Sequence, residues 1–454
     1  MADPITADGA GDSLIAHLIR IPKFGHGIGL HRMVWLRNQL PDPAWLVAQD
    51  TIRVTGSNGK GSTVRMLAAV LGALGVSRGM YISPHLIRFH ERITVNDHPI
   101  SDAELANAFS WFETARTKYI QSHPKDTFGA FEAFTALAMY HFSTSRPDVI
   151  IAEAGIGGRY DSTRVFPGQF VGLTSVDLEH TQLLGNTREQ IAYDKADLCP
   201  AGGTLVAGFL DEDLLHRLDA YCRLRDVALV AASREAAIGH TDFTPRGMSV
   251  DIAVGDMSWS GLKIALQGGH QVENAVVAIL LAWAWVQAHR PDIDPETFQG
   301  AVTRGLGAVT WTGRFERVQR DPAVYIDVGH TPDALYRLAE TVRAVIGQPI
   351  VLVTGGSANK PVDEMLAITV PLASEVICTQ AYHRGLAAED VYALAQGLAD
   401  GAVSCVPQIE EALLQAVSRA KTCGGVVLIA GGLFLAVEGM VALQGKDPRA
   451  LRFF

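Results

Sequence analysis

Residues 52–63 read Ile-Arg-Val-Thr-Gly-Ser-Asn-Gly-Lys-Gly-Ser-Thr. An apolar, β-branched run ends in a loop that carries Gly56, Gly59 and Gly61 with Lys60 between the last two, and a helix-like segment follows from Thr63. Strand, glycine loop with lysine, then helix is a way to cradle a polyphosphate: glycines let backbone N–H groups approach phosphate oxygens, the helix N-terminus adds positive potential, and the lysine is a point charge. The spacing is not that of a standard Walker A loop. Gly61 separates Lys60 from Ser62, and Val54 stands where the first glycine belongs. Read alone, a glycine turn with an incidental lysine fits equally well.

Other residues of chemical interest stand at strand ends or near helix starts. Ser83, in Tyr81-Ile-Ser-Pro-His85, offers a hydroxyl oxygen to a hard cation such as Mg²⁺, although Ser-Pro-His is more often a plain loop start. Glu153 closes the apolar run at 148–152; a carboxylate there needs a partner, either a metal or Arg159. His180 follows Asp177-Leu-Glu179, and it would share a rim with Glu153 if their strands are neighbours. Lys195 lies in a helical segment and by itself reads as a surface lysine. Further on, Arg314 suits a phosphate, Asp327 suits a ribose hydroxyl or an amine, and His330 follows three residues later.

The elements that must position these residues alternate strand and helix. Short apolar strands are expected at 77–82, 148–152 and 171–175, with helices at 103–119 and 131–143, which implies a parallel sheet covered on both faces. Residues 203–267 read as short strands and turns forming an antiparallel edge. Residues 275–288 read as a buried helix, too short to span a bilayer. Pro291, Pro295 and a glycine-dotted stretch to Gly313 read as a linker. Strands at 324–327, 349–354, 375–379 and 426–430 then imply a second series. The fold class is α/β: a P-loop nucleotide-binding parallel-sheet domain over 1–306, followed by a smaller Rossmann-like α/β domain over 307–454.

The chain has 454 residues, 48% of them hydrophobic and 19% charged, as expected of a well-buried globular protein with two or three domains. A net charge of −10 without blocks of like charge leaves no footprint for nucleic acid or an anionic membrane. The first residues lack the basic and apolar runs of a signal peptide. Five scattered cysteines without CxxC spacing imply reduced thiols, a cytoplasmic location, and neither a disulfide framework nor a zinc site.

Taken in order, GIGLHRM (27–33), VTGSNGKGST (54–63), YISPHLIRFHERI (81–93), FEAFTALAMYHF (131–142), DVIIAEAGIGGRYDST (148–163), TSVDLEHTQLLG (174–185), DKAD (194–197), HQVENA (270–275), TGRFE (312–316), DVGHTP (327–332) and AGGLFLAVE (430–438) resemble the folylpolyglutamate synthase/dihydrofolate synthase family within the wider Mur ligase group. The resemblance implies an ATP- and Mg²⁺-dependent amide ligase: a carboxylate is phosphorylated to an acyl phosphate, and the amino group of glutamate displaces phosphate. It implies that Gly56, Ser57, Asn58, Gly59, Lys60, Gly61 and Ser62, with Asn274, Arg314 and Asp327, contact ATP. Ser83, Glu153 and His180 would hold Mg²⁺, as one or two ions, and Lys195 matches the family's carbamylated lysine. Lys60, Lys195 and His330 would be catalytic. The acid substrate, a folate- or pteroate-like carboxylic acid, would meet Gly27, Ile28, Gly29, Gly129, Ala130, Phe131, Glu132, Tyr160, Asp161 and Ser162. The expected assembly is a monomer.

Departures from the family pattern fall on the acid and amino-acid side. Gly129-Ala130 precede Phe131-Glu132 where the family usually has a threonine and an aromatic residue; Glu179 replaces an aspartate, Ser162-Thr163-Arg164 replaces Ala-Thr-Asn, and Thr331 replaces an asparagine. They leave open a relative that joins an amino acid to a non-folate acid. A nucleotide-binding protein without ligase activity would not need Ser83, Glu153, His180 and Lys195 together. A cell-wall Mur ligase would usually carry a further domain ahead of the loop, where about 50 residues stand here.

Overall fold

The computed structural model describes residues 14–18, 20–22, 25–27, 29–244 and 247–453. Ile28 lies outside them. Eight strands form the first sheet: β1 (Ile52–Thr55), β2 (Arg78–Tyr81), β3 (Ile93–Val95), β4 (His98–Pro99), β5 (Val149–Glu153), β6 (Phe170–Leu173), β7 (Thr204–Ala207) and β8 (Ala228–Ala231). Their order is β4-β3-β2-β5-β1-β6-β7-β8. All neighbours are parallel except the β2-β3 and β3-β4 pairs. Strands β1, β5 and β6 are buried at every residue, because helices cover both faces. The expected strands and helices of the first series are therefore present.

Two expectations for this part are corrected. Residues 203–267 do not form an antiparallel edge. The parallel sheet continues through β7 and β8, and β9 (Ala236–Thr244), β10 (Gly247–Val254) and β11 (Met257–Ile264) make a separate antiparallel sheet. Met248, Val250, Ile252, Leu262 and Ile264 of that sheet join the same core as the helices Lys60–Ala73 and Gly269–His289. The antiparallel edge of the large sheet lies instead at β3-β4. The strands leading to Glu153 and His180 are not neighbours either, since β1 runs between β5 and β6.

The stretch read as a linker is the helix Pro295–Ala308. Asp294 caps it by accepting from Thr297 N at 2.7 Å, and Pro295 occupies the first turn, where its missing N–H costs nothing. Phe298, Val302 and Leu306 are buried, and Gly305 lies against the helix Lys60–Ala73 so closely that a Cβ would stand 2.8 Å from the backbone of Ala69. Gly305→Val is expected to destabilise the chain by about 1–3 kcal/mol through overpacking. A lower urea midpoint at unchanged slope would show it, and an unchanged midpoint would refute the close packing.

Helix Gly269–His289 is 21 residues long and apolar enough to cross a membrane. It is instead a core helix, packed against the sheet and the helix Lys60–Ala73, which explains why it is apolar on most sides.

The second sheet contains β12 (Glu316–Arg320), β13 (Ala323–Ile326), β14 (Ile350–Thr354), β15 (Glu375–Cys378), β16 (Ala402–Cys405) and β17 (Val426–Ile429), in the order β12-β13-β17-β14-β15-β16. Only β12 is antiparallel to its neighbour. The half-exposed β12 and β16 were not legible as strands, because neither is a run of apolar residues.

Candidate functional site

The glycine loop leaves the carboxyl end of β1, the usual position for a ligand in a parallel sheet. Gly59 has φ +84° and caps the helix Lys60–Ala73, and a side chain there would also collide with Asn274. Asn274 is thus packed against the loop, with its Nδ2 donating to Gln271 Oε1 at 3.1 Å. The loop is tied to the end of β6 by Ser57 N to Ser175 O at 2.9 Å, Asn58 N to Ser175 Oγ at 2.9 Å and Thr174 Oγ1 to Asn58 O at 2.5 Å. Lys60 Nζ donates to Gly56 O at 2.6 Å and Ser57 O at 3.1 Å, so the loop closes around its own cation. Ser62 is buried in the first turn of that helix.

Parallel register places Glu153 opposite Val54, immediately before the loop. Its Oε2 lies 3.4 Å from where a side chain on Gly61 would begin, and Trp311 covers the same spot at 3.2 Å. Ser83 N donates to Glu153 Oε2 at 3.1 Å, so the structure brings Ser83 and Glu153 together. Arg159 does not pair with Glu153; it donates to Asp197 Oδ2 at 2.5 Å. Burial pushes the Glu153 carboxyl up, against the opposing pull of Lys60, the Ser83 N–H, Arg314 and Arg92.

On the other side of β1, Lys195 is almost fully buried and not a surface lysine. Its Nζ donates to Glu179 Oε1 at 2.8 Å. Burial and the charge of Lys60 lower the Lys195 amine, with Glu179 opposing. Burial also acts to raise Glu179, but Lys195 and Lys60 outweigh it and hold that carboxyl below its usual range. Lys60 therefore exerts its field on two carboxylates, Glu153 and Glu179. His180 is exposed at the start of the short helix Thr181–Leu184, beyond β1 from Glu153. Among the described residues no three His, Cys, Asp or Glu side chains gather into a self-sufficient metal cage. A buried carboxylate beside a serine suits Mg²⁺, which is commonly held by one or two carboxylates together with substrate phosphates and water.

The second sheet faces the loop. Asn58 Nδ2 donates to Asp333 Oδ2 at 3.0 Å and to Asp177 Oδ2 at 3.4 Å, joining the glycine loop to the helix Pro332–Val345. Asp327 accepts from Phe315 N at 3.0 Å and Gly329 N at 2.7 Å, which shapes the turn that presents Arg314 and His330. Burial raises Asp327, and Arg314 opposes the rise. Crowding by the surrounding protein, with the cations Lys360, Arg314 and Lys60, pushes His330 down to about 4, although the residue as a whole is exposed. Thr331, in place of the family asparagine, caps the helix Pro332–Val345 by accepting from Ala334 N at 3.3 Å.

Among the residues expected to meet the acid, two carboxylates are occupied within the protein. Glu132 accepts from Arg32 Nε at 2.9 and 3.1 Å and from Gly129 N at 2.8 Å. Arg32 also donates to the backbone oxygens of His26 and Gly27, which fixes the chain beside Gly29. Asp161 accepts from Gly155 N, Ile156 N, Thr163 N and Thr163 Oγ1 at 2.5–3.1 Å. Ala130 begins the helix Ala130–Ser145, and the Phe131 ring lies against Gly155 and 6.0 Å from the Tyr81 ring. Ser162 is buried, whereas Tyr160 is 56% exposed.

Three features were not legible beforehand. Glu179 as partner of Lys195 and Lys360 beside His330 each join residues from separate elements, with no local sequence signal. The loop after β2 is also anchored in the second unit: Leu86 and Ile87 pack on its core, and His85 Nε2 donates to Arg452 O at 2.8 Å while its Nδ1 accepts from Arg92 Nε at 2.8 Å. That loop carries Ser83, so the approach of Ser83 to Glu153 depends on both units.

Residues 54–282 match the family model for the Mur ligase middle domain, and residues 313–433 that for the Mur ligase glutamate ligase domain. The chain is similar to a probable bifunctional folylpolyglutamate synthase/dihydropteroate synthase of Halobacterium salinarum, 35% identical over 94% of this chain and 51% of the relative. It thus spans about half the length of that protein. It is 32% identical to the folylpolyglutamate synthase of Lacticaseibacillus casei over 68% of this chain and 71% of that one. The solved structure of Mycobacterium tuberculosis folylpolyglutamate synthase complexed with ADP superposes with a TM-score of 0.87 at 26% identity, covering 98% of this chain and 100% of that one.

Proposed function

The chain belongs to the folylpolyglutamate synthase/dihydrofolate synthase family of the Mur ligases, and from that premise we propose that it is an ATP-dependent amide ligase joining glutamate to the carboxylate of a folate or pteroate. The observation that carries the proposal is Lys60, held in a glycine loop at a helix N-terminus between Glu153 and the Lys195–Glu179 pair. The backbone N–H groups at 56–62 and the Lys60 ammonium bind the β- and γ-phosphates. Ser83 and Glu153, with His180 from the other side of β1, are the ligands for Mg²⁺, which when bound supplies charge to neutralise the transferring phosphoryl group. Asn274, Arg314 and Asp327 position the nucleotide. His330, held largely neutral, faces the incoming amine beside Lys360 and is suited to accept its proton.

Lys195 is carbamylated in the working enzyme. Only a neutral amine reacts with CO₂, and the lowered amine favours that form. Carbamylation would turn the attraction between Lys195 and Glu179 into repulsion, which the charge of a bound divalent cation would offset. The enzyme acts in the cytoplasm as a monomer.

ATP-dependent phosphate release, measured with dihydropteroate or a reduced folate plus glutamate, is the test. Turnover with either acid is expected, and silence with both, alongside turnover of another acid, would leave the ligase class and sink the folate assignment. That second reading has specific support: Ala130 supplies no ring, and Glu132 and Asp161 are already occupied, which leaves few side chains to select a heterocycle.

A further inference from the structure

A cluster of arginines next to Tyr160 has no part in the ligation chemistry. Arg159 and Arg225 converge on one carboxylate, and Arg164 is bonded to the backbone of Arg159 beside them. Arg159 Nε donates to Asp197 Oδ2 at 2.5 Å, Arg225 pairs with the other oxygen of Asp197, and Arg164 Nη1 donates to the backbone oxygen of Arg159 at 2.6 Å. The hydroxyl of Tyr221 also donates to Asp197 Oδ1, at 2.8 Å. Arg164 has no carboxylate partner among the described residues. The nearby Asp161 is taken by its own loop, and Asp194 accepts from Gly158 N at 2.9 Å. Two guanidiniums thus share the Asp197 carboxylate and a third stands beside them without one of its own, a local surplus of positive charge. The carbonyl end of the helix Arg188–Ala196 offsets about half a charge of it.

The surplus faces solvent: the Arg159 and Arg225 side chains are 45% and 31% exposed, and Asp197 is only 5% exposed. Burial and the mutual repulsion of the three cations lower Arg164 and Arg225. The cluster also borders the ligation site. Arg159 follows Gly158, where a Cβ would touch the backbone of Lys195 at 2.5 Å, and precedes Tyr160 on the acid side.

Each round of ligation removes one carboxylate from the acid and adds the two of glutamate, so the product is more anionic than its substrate by one charge. We infer that Arg159, Arg164 and Arg225 form a subsite for the carboxylates of an acid already extended by glutamate, and that the enzyme favours such polycarboxylate substrates. Guanidinium forks match carboxylates two bonds at a time. The inference rests on the ligation reading above.

Two measurements test it. In steady-state kinetics at low salt, a folate carrying three γ-linked glutamates is expected to have a lower KM than the monoglutamate. Arg164→Gln and Arg225→Gln are each expected to raise the KM for the triglutamate about tenfold, with the KM for the monoglutamate and kcat unchanged. Equal effects on both substrates, or none, would overturn the subsite. Calorimetric titration of the wild-type chain with γ-linked triglutamate, which lacks a pteroyl group, is expected to show salt-sensitive binding that Arg164→Gln weakens. Absence of that binding in the wild type would also overturn the subsite. If neither folate is turned over while the peptide binds through Arg164, the ligation reading fails and the polycarboxylate site stands.

Discussion

Lys60→Ala is expected to lower kcat about 10³-fold and to leave the fold intact. The residue is the only cation within the glycine loop, and in the proposed function its ammonium offsets charge on the transferring phosphoryl group. Removing one preorganised donor of this kind costs about 10²–10³-fold, and the upper end applies to a full charge. A 10³-fold loss corresponds to about 4 kcal/mol of transition-state stabilisation. The loop keeps its path because Ser57, Asn58 and Thr174 hold its backbone independently of the lysine. ATP-dependent phosphate release, together with an unchanged circular dichroism spectrum, would check both halves. Normal turnover would refute the assignment of the loop.

The second large effect is expected for Lys195→Ala, a loss of about 10²–10³-fold in kcat that added bicarbonate does not restore. Wild-type activity, by contrast, should fall in carbonate-depleted buffer and recover with bicarbonate. Below its pKa an amine is mostly protonated, so the carbonate-dependent activity should rise with pH; the lowered Lys195 amine moves that rise to lower pH than an ordinary lysine would give. Breaking a buried pair often costs about 3–5 kcal/mol because one charge is left stranded. Glu179 keeps part of its support, since Lys60 also favours its charged form and its side chain is 23% exposed. The variant should therefore remain folded, as a melting curve would show. Full activity in Lys195→Ala would exclude both the carbamate and any need for the buried pair.

Most of the α/β series was legible because its apolar runs of four to six residues are too short for helices, are rich in β-branched residues and alternate with longer helical segments. Sequence and structure part where a local signal has more than one physical origin. Prolines and glycines over 291–313 look like a linker, yet Pro295 opens a helix and Gly305 is small because Ala69 packs against it. Residues 203–267 look uniformly antiparallel, but the alternation of β10 and β11 differs from the buried β7, whose partner β6 lies outside that stretch.

The amino-acid sequence by itself determined the glycine loop between strand and helix, the family and the alternation of strand and helix, because glycine conformations, a lysine between glycines and hydrophobic periodicity act over a few residues. Tertiary structure decided which groups meet. It set β1 between β5 and β6, so that Glu153 and Glu179 flank Lys60 from two sides. It buried Lys195 against Glu179, closed Glu132 onto Arg32, and gathered Arg159 and Arg225 around Asp197 with Arg164 beside them. Strand order and burial depend on how distant segments share a core, and the shifted charges of Glu153, Glu179 and Lys195 follow from that burial and from neighbours brought together by the fold.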